Sequence, residues 1–268
     1  LQLERWRLTA GIMSGATLYS GEGLSWRGRV YAGLSAAYQI TPYIEANGWV
    51  NNSYRNATFT DLYYRSPTQT GNTNLKPEES ITAQLGLRFR NHLVSSSLSG
   101  FYRYGYNIID WIRESGSHQW MASNLTNTGS IGVDFSLSYT PKESAVNRAV
   151  FSYSWMDVSK ESDNYHSLYA TDYLKHKATF ALDYNVIKKL IASWYLSAQK
   201  REGSYLDSED MERTYKAFLL VDLRLRWGEE SFHLFVEATN LFDTNYLYIG
   251  NLPQPGRWIK GGVGITFK

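Results

Sequence analysis

A chain of 268 residues with 27 Lys plus Arg against 25 Asp plus Glu carries a formal charge of +2, and only 19% of its residues are charged. That balance excludes a disordered tail and a nucleic-acid arm. Cysteine is absent, so there is neither a disulfide framework nor a thiolate metal site. Tyr, Phe and Trp make up 15% of the chain while Pro numbers only 6, a profile that suits strands.

The chain is polar on average, and its apolar runs, such as 217–221, fall far short of the roughly 20 residues a membrane-crossing helix needs. A membrane β-barrel escapes that test, because its strands alternate lipid-facing and lumen-facing side chains. The opening residues Leu1 to Arg7 contain no apolar signal core, so the chain is expected to start mid-protein, after processing, or inside a larger architecture.

In chain order, period-two alternation predicts strands near 2–14, 26–40, 43–56, 81–90, 92–108, 130–140, 147–158, 172–186, 189–202, 215–227, 230–242 and 256–267. The alternation is plainest in three of them. Ile81, Ala83, Leu85, Leu87 and Phe89 face away from Thr82, Gln84, Arg88 and Arg90; Ile131, Val133, Phe135, Leu137 and Tyr139 oppose Asp134, Ser136 and Ser138. From Tyr215 through Leu219, Leu223 and Leu225 to Trp227 one face is apolar, and Lys216, Asp222, Arg224 and Arg226 share the other, although Phe218, Leu220 and Phe235 fall on polar faces. Strands of 11 residues or more are about twice the usual soluble length and match a tilted bilayer crossing.

The connections alternate between short and long. Short ones lie near 40–43, 90–93, 140–147, 185–189 and 228–231; long ones lie near 14–26, 56–79, 110–129, 159–171, 203–213 and 243–256. All six prolines fall in connections, where a missing amide breaks no ladder. Small turns on one side and large loops on the other define an up-and-down barrel with periplasmic turns and extracellular loops. Aromatics gather at strand ends, as interface anchors do: Tyr38, Phe89, Tyr139, Tyr184, Trp227 and Phe267 border the short turns, and Trp26, Tyr102, Tyr104, Trp155, Tyr173, Tyr215 and Trp258 border the long loops. The fold class is therefore all-β, a transmembrane antiparallel barrel with about twelve strands. Its polar wall is expected to contain Arg88, Asp134, Lys177, Asp183, Asp222, Arg224 and Glu237. In the 56–79 connection Pro77 bars helix, and Gly71 with Asn72 permits a turn at positive φ.

Catalytic and metal motifs are not found. The histidines at 92, 118, 166, 176 and 233 show no metal-ligand spacing, and there is no phosphate loop or nucleophile elbow. The sequence is read as not an enzyme, with no cofactor and no metal. Asp207, Glu209, Asp210 and Glu212 in one loop, and Glu161 and Asp163 in the preceding one, could offer oxygen to calcium, but without the twelve-residue calcium loop they read as solvated acids. Ligand contact is expected from loop-tip aromatics and amides instead: Tyr63, Tyr64, Gln69, Asn72, Trp120, Asn124, Tyr165, Tyr169, Tyr205, Tyr246 and Tyr248. Flat rings with convergent amides suit a large, partly apolar ligand.

Two segments carry a family resemblance. Thr58-Phe59-Thr60-Asp61-Leu62-Tyr63-Tyr64, followed by Gly71-Asn72-Thr73-Asn74-Leu75-Lys76-Pro77-Glu78-Glu79-Ser80, resembles the mid-barrel signature of TonB-dependent outer-membrane transporters. Asn240-Leu241-Phe242-Asp243, Tyr246, Pro255-Gly256-Arg257 and the alternation through Phe267 resemble the family's last loop and closing strand. Lys268 departs from the pattern, since these barrels usually finish on the aromatic. The resemblance covers essentially the whole chain, so residues 1–268 are read as the C-terminal part of a barrel of 22 strands, with the remaining strands and the N-terminal plug absent. It implies residence in the bacterial outer membrane among lipid, import of a scarce bulky nutrient, and energy relayed by TonB through the plug. Within the family the wording looks most like cobalamin transporters, which implies a corrinoid ligand and a surface lipoprotein partner; siderophore and haem receptors are the near alternative. A self-contained twelve-stranded passive channel or adhesin, and a soluble β-sandwich, are the readings from other classes.

Overall fold

The computed structural model describes residues 2–20, 24–114, 117–124, 127–160, 165–167, 172–209, 211–229 and 231–267. Its strands are β1 (Gln2–Leu3), β2 (Trp6–Ser20), β3 (Leu24–Thr41), β4 (Ile44–Arg55), β5 (Gln69–Thr70), β6 (Glu78–Arg90), β7 (Val94–Tyr106), β8 (Ile109–Glu114), β9 (Trp120–Asn124) and β10 (Asn127–Tyr139). They continue as β11 (Val146–Lys160), β12 (Tyr165–Ser167), β13 (Tyr173–Ile187), β14 (Leu190–Glu202), β15 (Ser204–Leu206), β16 (Glu212–Thr214), β17 (Phe218–Gly228), β18 (Phe232–Thr239) and β19 (Trp258–Ile265). One short helix, α1 (Phe59–Tyr63), interrupts them. Twelve long strands and the two-residue β1 form a 13-stranded sheet in the order β1-β2-β3-β4-β6-β7-β10-β11-β13-β14-β17-β18-β19. That order follows the chain, the meander expected from the alternating connections.

By compactness the chain divides into two units: Leu1–Arg88 with Ser99–Gly132 and Asp157–Ala170, and Phe89–Leu98 with Val133–Met156 and Thr171–Lys268. In the second unit the registers line side chains up in rows. Leu182, Trp194, Leu223, Ala238 and Ile259 are successive partners on one face; Leu190, Trp227, Leu234 and Val263 form another row of the same face. The opposite face carries Asp183, Ser193, Arg224, Glu237 and Lys260 in direct register. Lys260 Nζ lies 3.0 Å and Arg224 Nη1 3.9 Å from the Glu237 carboxylate. Phe235 shares this polar face because the Arg224 guanidinium stacks 4.5 Å from its ring centre.

The first unit repeats the division. Ala10, Leu34 and Val50 register across β2, β3 and β4, while Thr9, Ser35 and Trp49 lie on the other face. Glu45 holds both Arg7 and Arg88 at 3.2 Å. The β3–β4 ladder ends at Gly33 and Asn51. There the Asn52 amide takes over, its oxygen accepting from the Ala32 N–H at 2.6 Å and its nitrogen donating to the Val30 carbonyl at 3.2 Å.

Exposure is inverted relative to a water-soluble sheet. In β18, Phe232, Leu234 and Val236 are exposed while His233 and Glu237 are half-buried; in β6, Leu85 is 75% exposed while Gln84 is half-buried. Among the described residues only seven apolar side chains are buried, too few to make the core that a soluble β-sandwich requires. In each unit the exposed strand face is the apolar one, the pattern of a sheet that meets hydrocarbon.

Several predicted boundaries are corrected. The expected long loop at 14–26 is instead strand through Ser20 and again from Leu24, with Leu18 opposite Trp26 and Ser20 opposite Leu24; backbone pairing continues where the small residues Gly15 and Ala16 blur the alternation. The connections at 56–79, 110–129 and 203–213 contain α1 and β5, β8 and β9, and β15 and β16. Tyr215 to Ala217 precede β17 rather than open it. Gly71 and Asn72 are not among the residues at positive φ; glycine is needed at 71 because a Cβ there would come within 2.8 Å of the Leu62 carbonyl carbon. At Gly228 the backbone itself requires glycine, with φ +128° in the turn into β18.

These faces predict an asymmetric response to charge. Leu223→Arg, in the middle of an apolar row, should destabilise the vesicle-embedded barrel by about 2 to 4 kcal/mol. Tyr195→Arg, opposite Asp222 on the polar face, should cost under about 1 kcal/mol. Urea titration of both variants in lipid vesicles measures the difference.

Candidate functional site

The connection between β4 and β6 is built around one carboxylate. Thr58 caps α1: its hydroxyl oxygen accepts from the Asp61 N–H at 3.1 Å, while Asp61 Oδ2 accepts from the Thr58 N–H at 2.9 Å and its hydroxyl at 2.7 Å. Asp61 is 8% exposed. Burial pushes its carboxyl up, but the Thr58 donors, the Arg55 guanidinium and the Trp111 indole outweigh that and hold it below the usual carboxylate value. Arg55 reaches 3.4 Å from Asp61 and grips Glu78 with two bonds, at 2.8 and 2.7 Å. Glu78 Oε1 also accepts from the Ile109 N–H at 2.8 Å. The ends of β4, α1, β6 and β8 are thereby tied together.

Above this network the loops form their own sheet, β12-β8-β9-β5. Gln69 pairs in parallel with Trp120, whose ring lies 5.0 Å beneath the Arg113 guanidinium. Tyr64 meets Trp111 edge-on at 6.2 Å, and Tyr63 packs on Phe59 at 4.7 Å. Phe59 is 79% and Tyr63 48% exposed, so the two rings form a platform. The amides are committed elsewhere. Asn124 bonds the Lys76 N–H at 2.8 Å, the Lys76 carbonyl at 2.9 Å and the Asn107 carbonyl at 2.7 Å, and Asn72 Oδ1 accepts from the Asn74 N–H at 2.9 Å. Tyr165 pairs with Glu114 through its backbone in β12; Tyr169 lies outside the described residues.

The second unit holds a separate cluster. Tyr246 packs on Phe218 at 4.8 Å, Tyr248 approaches both, and Tyr205 leans on Tyr215 at 5.1 Å. These rings adjoin a cavity of about 720 Å³, whose lining includes Tyr205, Tyr215, Lys216, Phe218, Tyr246 and Gln254. That volume falls in the range of small-molecule sites. Tyr215 is its hinge pin: its hydroxyl donates to Asp172 Oδ2 and accepts from the Gly250 N–H at 2.7 Å, and Arg201 holds Asp172 Oδ1 at 2.6 Å. Burial, reinforced by the hydrogen bond to Asp172, pushes the Tyr215 hydroxyl well above its ordinary value. The phenol therefore stays protonated and keeps donating.

Of the acidic residues considered for calcium, Asp207 is occupied by the Glu209 and Met211 N–H groups at 2.9 and 3.0 Å and by Arg213 at 2.8 Å. Glu212 accepts from Ser204 at 2.5 Å. Glu161, Asp163 and Asp210 lie outside the described residues. Among the described residues no group of three or more His, Cys, Asp or Glu could hold a metal ion.

Sequence reasoning missed Phe59, Tyr215 and Phe218 as members of these clusters. The Thr58-x-x-Asp61 spacing was the available signal for the first, since a capped helix puts Phe59 and Tyr63 on one face. Nothing local marked these roles: Asp172 and Gly250 lie 43 and 35 positions from Tyr215, and Tyr246 packs on Phe218 from a separate connection.

Residues 1–241 match the family described as TonB dependent receptor-like, beta-barrel, and the chain belongs to that family of transporters and receptors. It is similar to the vitamin B12 transporter BtuB of Vibrio vulnificus, 25% identical over 206 residues, 76% of this chain and 31% of the relative. The BtuB of Photobacterium profundum is 24% identical over 220 residues, 80% of this chain and 34% of the relative. Among solved structures, the FrpB iron transporter of Neisseria meningitidis superposes with a TM-score of 0.75 at 14% identity, over 98% of this chain and 43% of that one. The ferric yersiniabactin uptake receptor FyuA of Yersinia pestis gives 0.69 at 17% identity, over 98% and 42%. At such identities the structures establish the fold alone. The chain spans about a third of the curated relatives' length.

Two substitutions probe the anchors. Asp61→Asn should loosen the 56–79 segment by about 1 to 3 kcal/mol, seen as faster cleavage there in limited proteolysis. Because the folded carboxyl lies below its ordinary value, its contribution is complete above about pH 4 and fades as pH falls through the depressed folded value; the same protection assay against pH should show loss only on the acid side, and none in the variant. Tyr215→Phe strands the Gly250 N–H and should raise cleavage within 241–256, consistent with about 1 to 2 kcal/mol, while leaving 56–79 protected.

Proposed function

We propose that this chain is the C-terminal barrel part of an outer-membrane active transporter. In this reading residues 1–268 contribute strands to a wall of 22 that surrounds an N-terminal plug, and TonB drives the plug to release a captured nutrient inward. The favoured cargo is a cobalamin-type corrinoid. Sequence similarity carries that preference: both curated relatives are vitamin B12 transporters, whereas the iron and siderophore receptors among the solved structures share 14 to 17% of residues. The Thr58 to Tyr64 and Gly71 to Glu78 wording points the same way.

The geometry is compatible with a bulky, partly apolar ligand. Phe59 and Tyr63 offer an exposed ring pair, and the cavity beside Tyr246 offers aromatic walls with Lys216 and Gln254 at hand. Of the ring and amide positions first considered, Tyr63, Tyr64, Trp120, Tyr205, Tyr246 and Tyr248 remain ligand candidates. Asn72 and Asn124 read as loop anchors. A surface lipoprotein that hands over the corrinoid is part of this reading, without an assigned docking face.

The test is competition binding to cells displaying the full-length receptor. Labelled cyanocobalamin should be displaced by unlabelled corrinoid but not by a ferric catecholate siderophore or by haem. Phe59→Ala and Tyr246→Ala should each weaken binding about tenfold, the effect of losing an aromatic anchor. Displacement by the siderophore or haem alone would reassign the cargo, and ion conductance without any saturable binding would replace the transporter with a passive channel.

A further inference from the structure

On the apolar face of the second unit, three successive rows change character toward the long connections. Phe151, Phe180, Leu196 and Val221 are register partners; the next row is Tyr153, Ala178, Ala198 and Leu219; the next contains Trp155, His176 and Lys200. Two directly opposed alanines between a bulky row and a polar row leave a depression. It is an open groove of about 410 Å³ lined by Tyr153, His176, Ala178, Ala198, Lys200 and Leu219. Its floor belongs to the hydrocarbon-facing surface, and its end toward the long loops carries the Lys200 ammonium and the His176 imidazole.

Lys200 is exposed and has no carboxylate partner among the described residues. His176 Nδ1 is 2.9 Å from the Tyr153 hydroxyl, which fixes the ring and leaves Nε2 as its other polar atom. Of the acids on these strand ends, Glu202 is paired with Lys175 at 3.2 Å and Asp172 with Arg201 at 2.6 Å, and Asp157 lies two residues beyond Trp155 on β11. An apolar groove continuous with the lipid-facing wall, ending in an exposed ammonium and an imidazole, is complementary to an acyl chain attached to an anionic headgroup.

We propose that this groove binds one phosphorylated membrane lipid, with an acyl chain along Ala178 and Ala198 and the phosphate held by Lys200 and His176. The occupant is a lipid rather than free phosphate, because most of the groove offers an anion nothing. The groove meets the cavity beside Tyr246 at Ala217, Phe218 and Leu219, so lipid retention is measured without corrinoid present.

Native mass spectrometry of the full-length receptor in detergent tests this, with dioleoylphosphatidylglycerol and dioleoylphosphatidylcholine as probes. Phosphatidylglycerol should be retained in preference. Lys200→Gln should reduce its affinity about fivefold, the effect of one cation near an anionic lipid surface, and His176→Gln should reduce it by removing the imidazole from the phosphate. Ala198→Leu, which fills the groove and keeps Lys200 and His176, should reduce it as well, and excess inorganic phosphate should not displace the lipid. Heat-modifiable migration on gels checks that each variant is folded. Equal retention of the two lipids, unchanged retention in all three folded variants, or displacement by phosphate alone would overturn the proposal.

Discussion

In hydrocarbon a backbone N–H has no water to turn to, so every donor and acceptor of a crossing segment must be paired within the protein. The rest of this structure follows from that requirement. Long strands satisfy it laterally, each ladder closing on its neighbour along the chain. The Asn52 amide illustrates its strictness: where β3 and β4 part, a side chain takes up the backbone groups of Val30 and Ala32.

Once the backbone is paired, side-chain period fixes the register. Arg224, Glu237 and Lys260 stand side by side on one face, and Leu223, Ala238 and Ile259 on the other. A slip of one residue would trade the two sets, sending charges into lipid at several kcal/mol. The rows therefore act as a single constraint on many strands, which is why so few buried apolar side chains suffice. Attraction between Glu237 and its two cations adds little beside that cost, being partly exposed.

The loops solve a different problem, since water returns there and pairing is no longer compulsory. Each aromatic cluster rests on one buried polar group with more than one hydrogen-bond partner. Asp61 gathers Thr58, Arg55 and Trp111 beneath the Phe59 and Tyr63 rings. Tyr215 links Asp172 to Gly250 beside the Phe218 and Tyr246 rings. Fixed anchors of this kind let the exposed rings present area without first being ordered, which lowers the entropic cost of binding. The outward groove proposed at Ala178 and Ala198 extends the same logic to the wall, where a local loss of bulk beside Lys200 and His176 would give the lipid itself a place to be recognised.

Strands, their faces and the alternation of turns and loops were legible in the order of residues, because a period of two and the placement of proline are local properties of a chain. Charges at Arg224 and Glu237 could be assigned to a wall without knowing that they are neighbours. Folding settled the rest: what the long connections contain and which of their residues meet. Strand pairing runs to Ser20 where alternation fades, Gly71 answers to the nearby Leu62 carbonyl rather than to its own φ, and Asn124 turns out to clamp Lys76 from 48 positions away. Those choices rest on contacts between distant segments, and no local pattern encodes a partner that only the folded chain brings near.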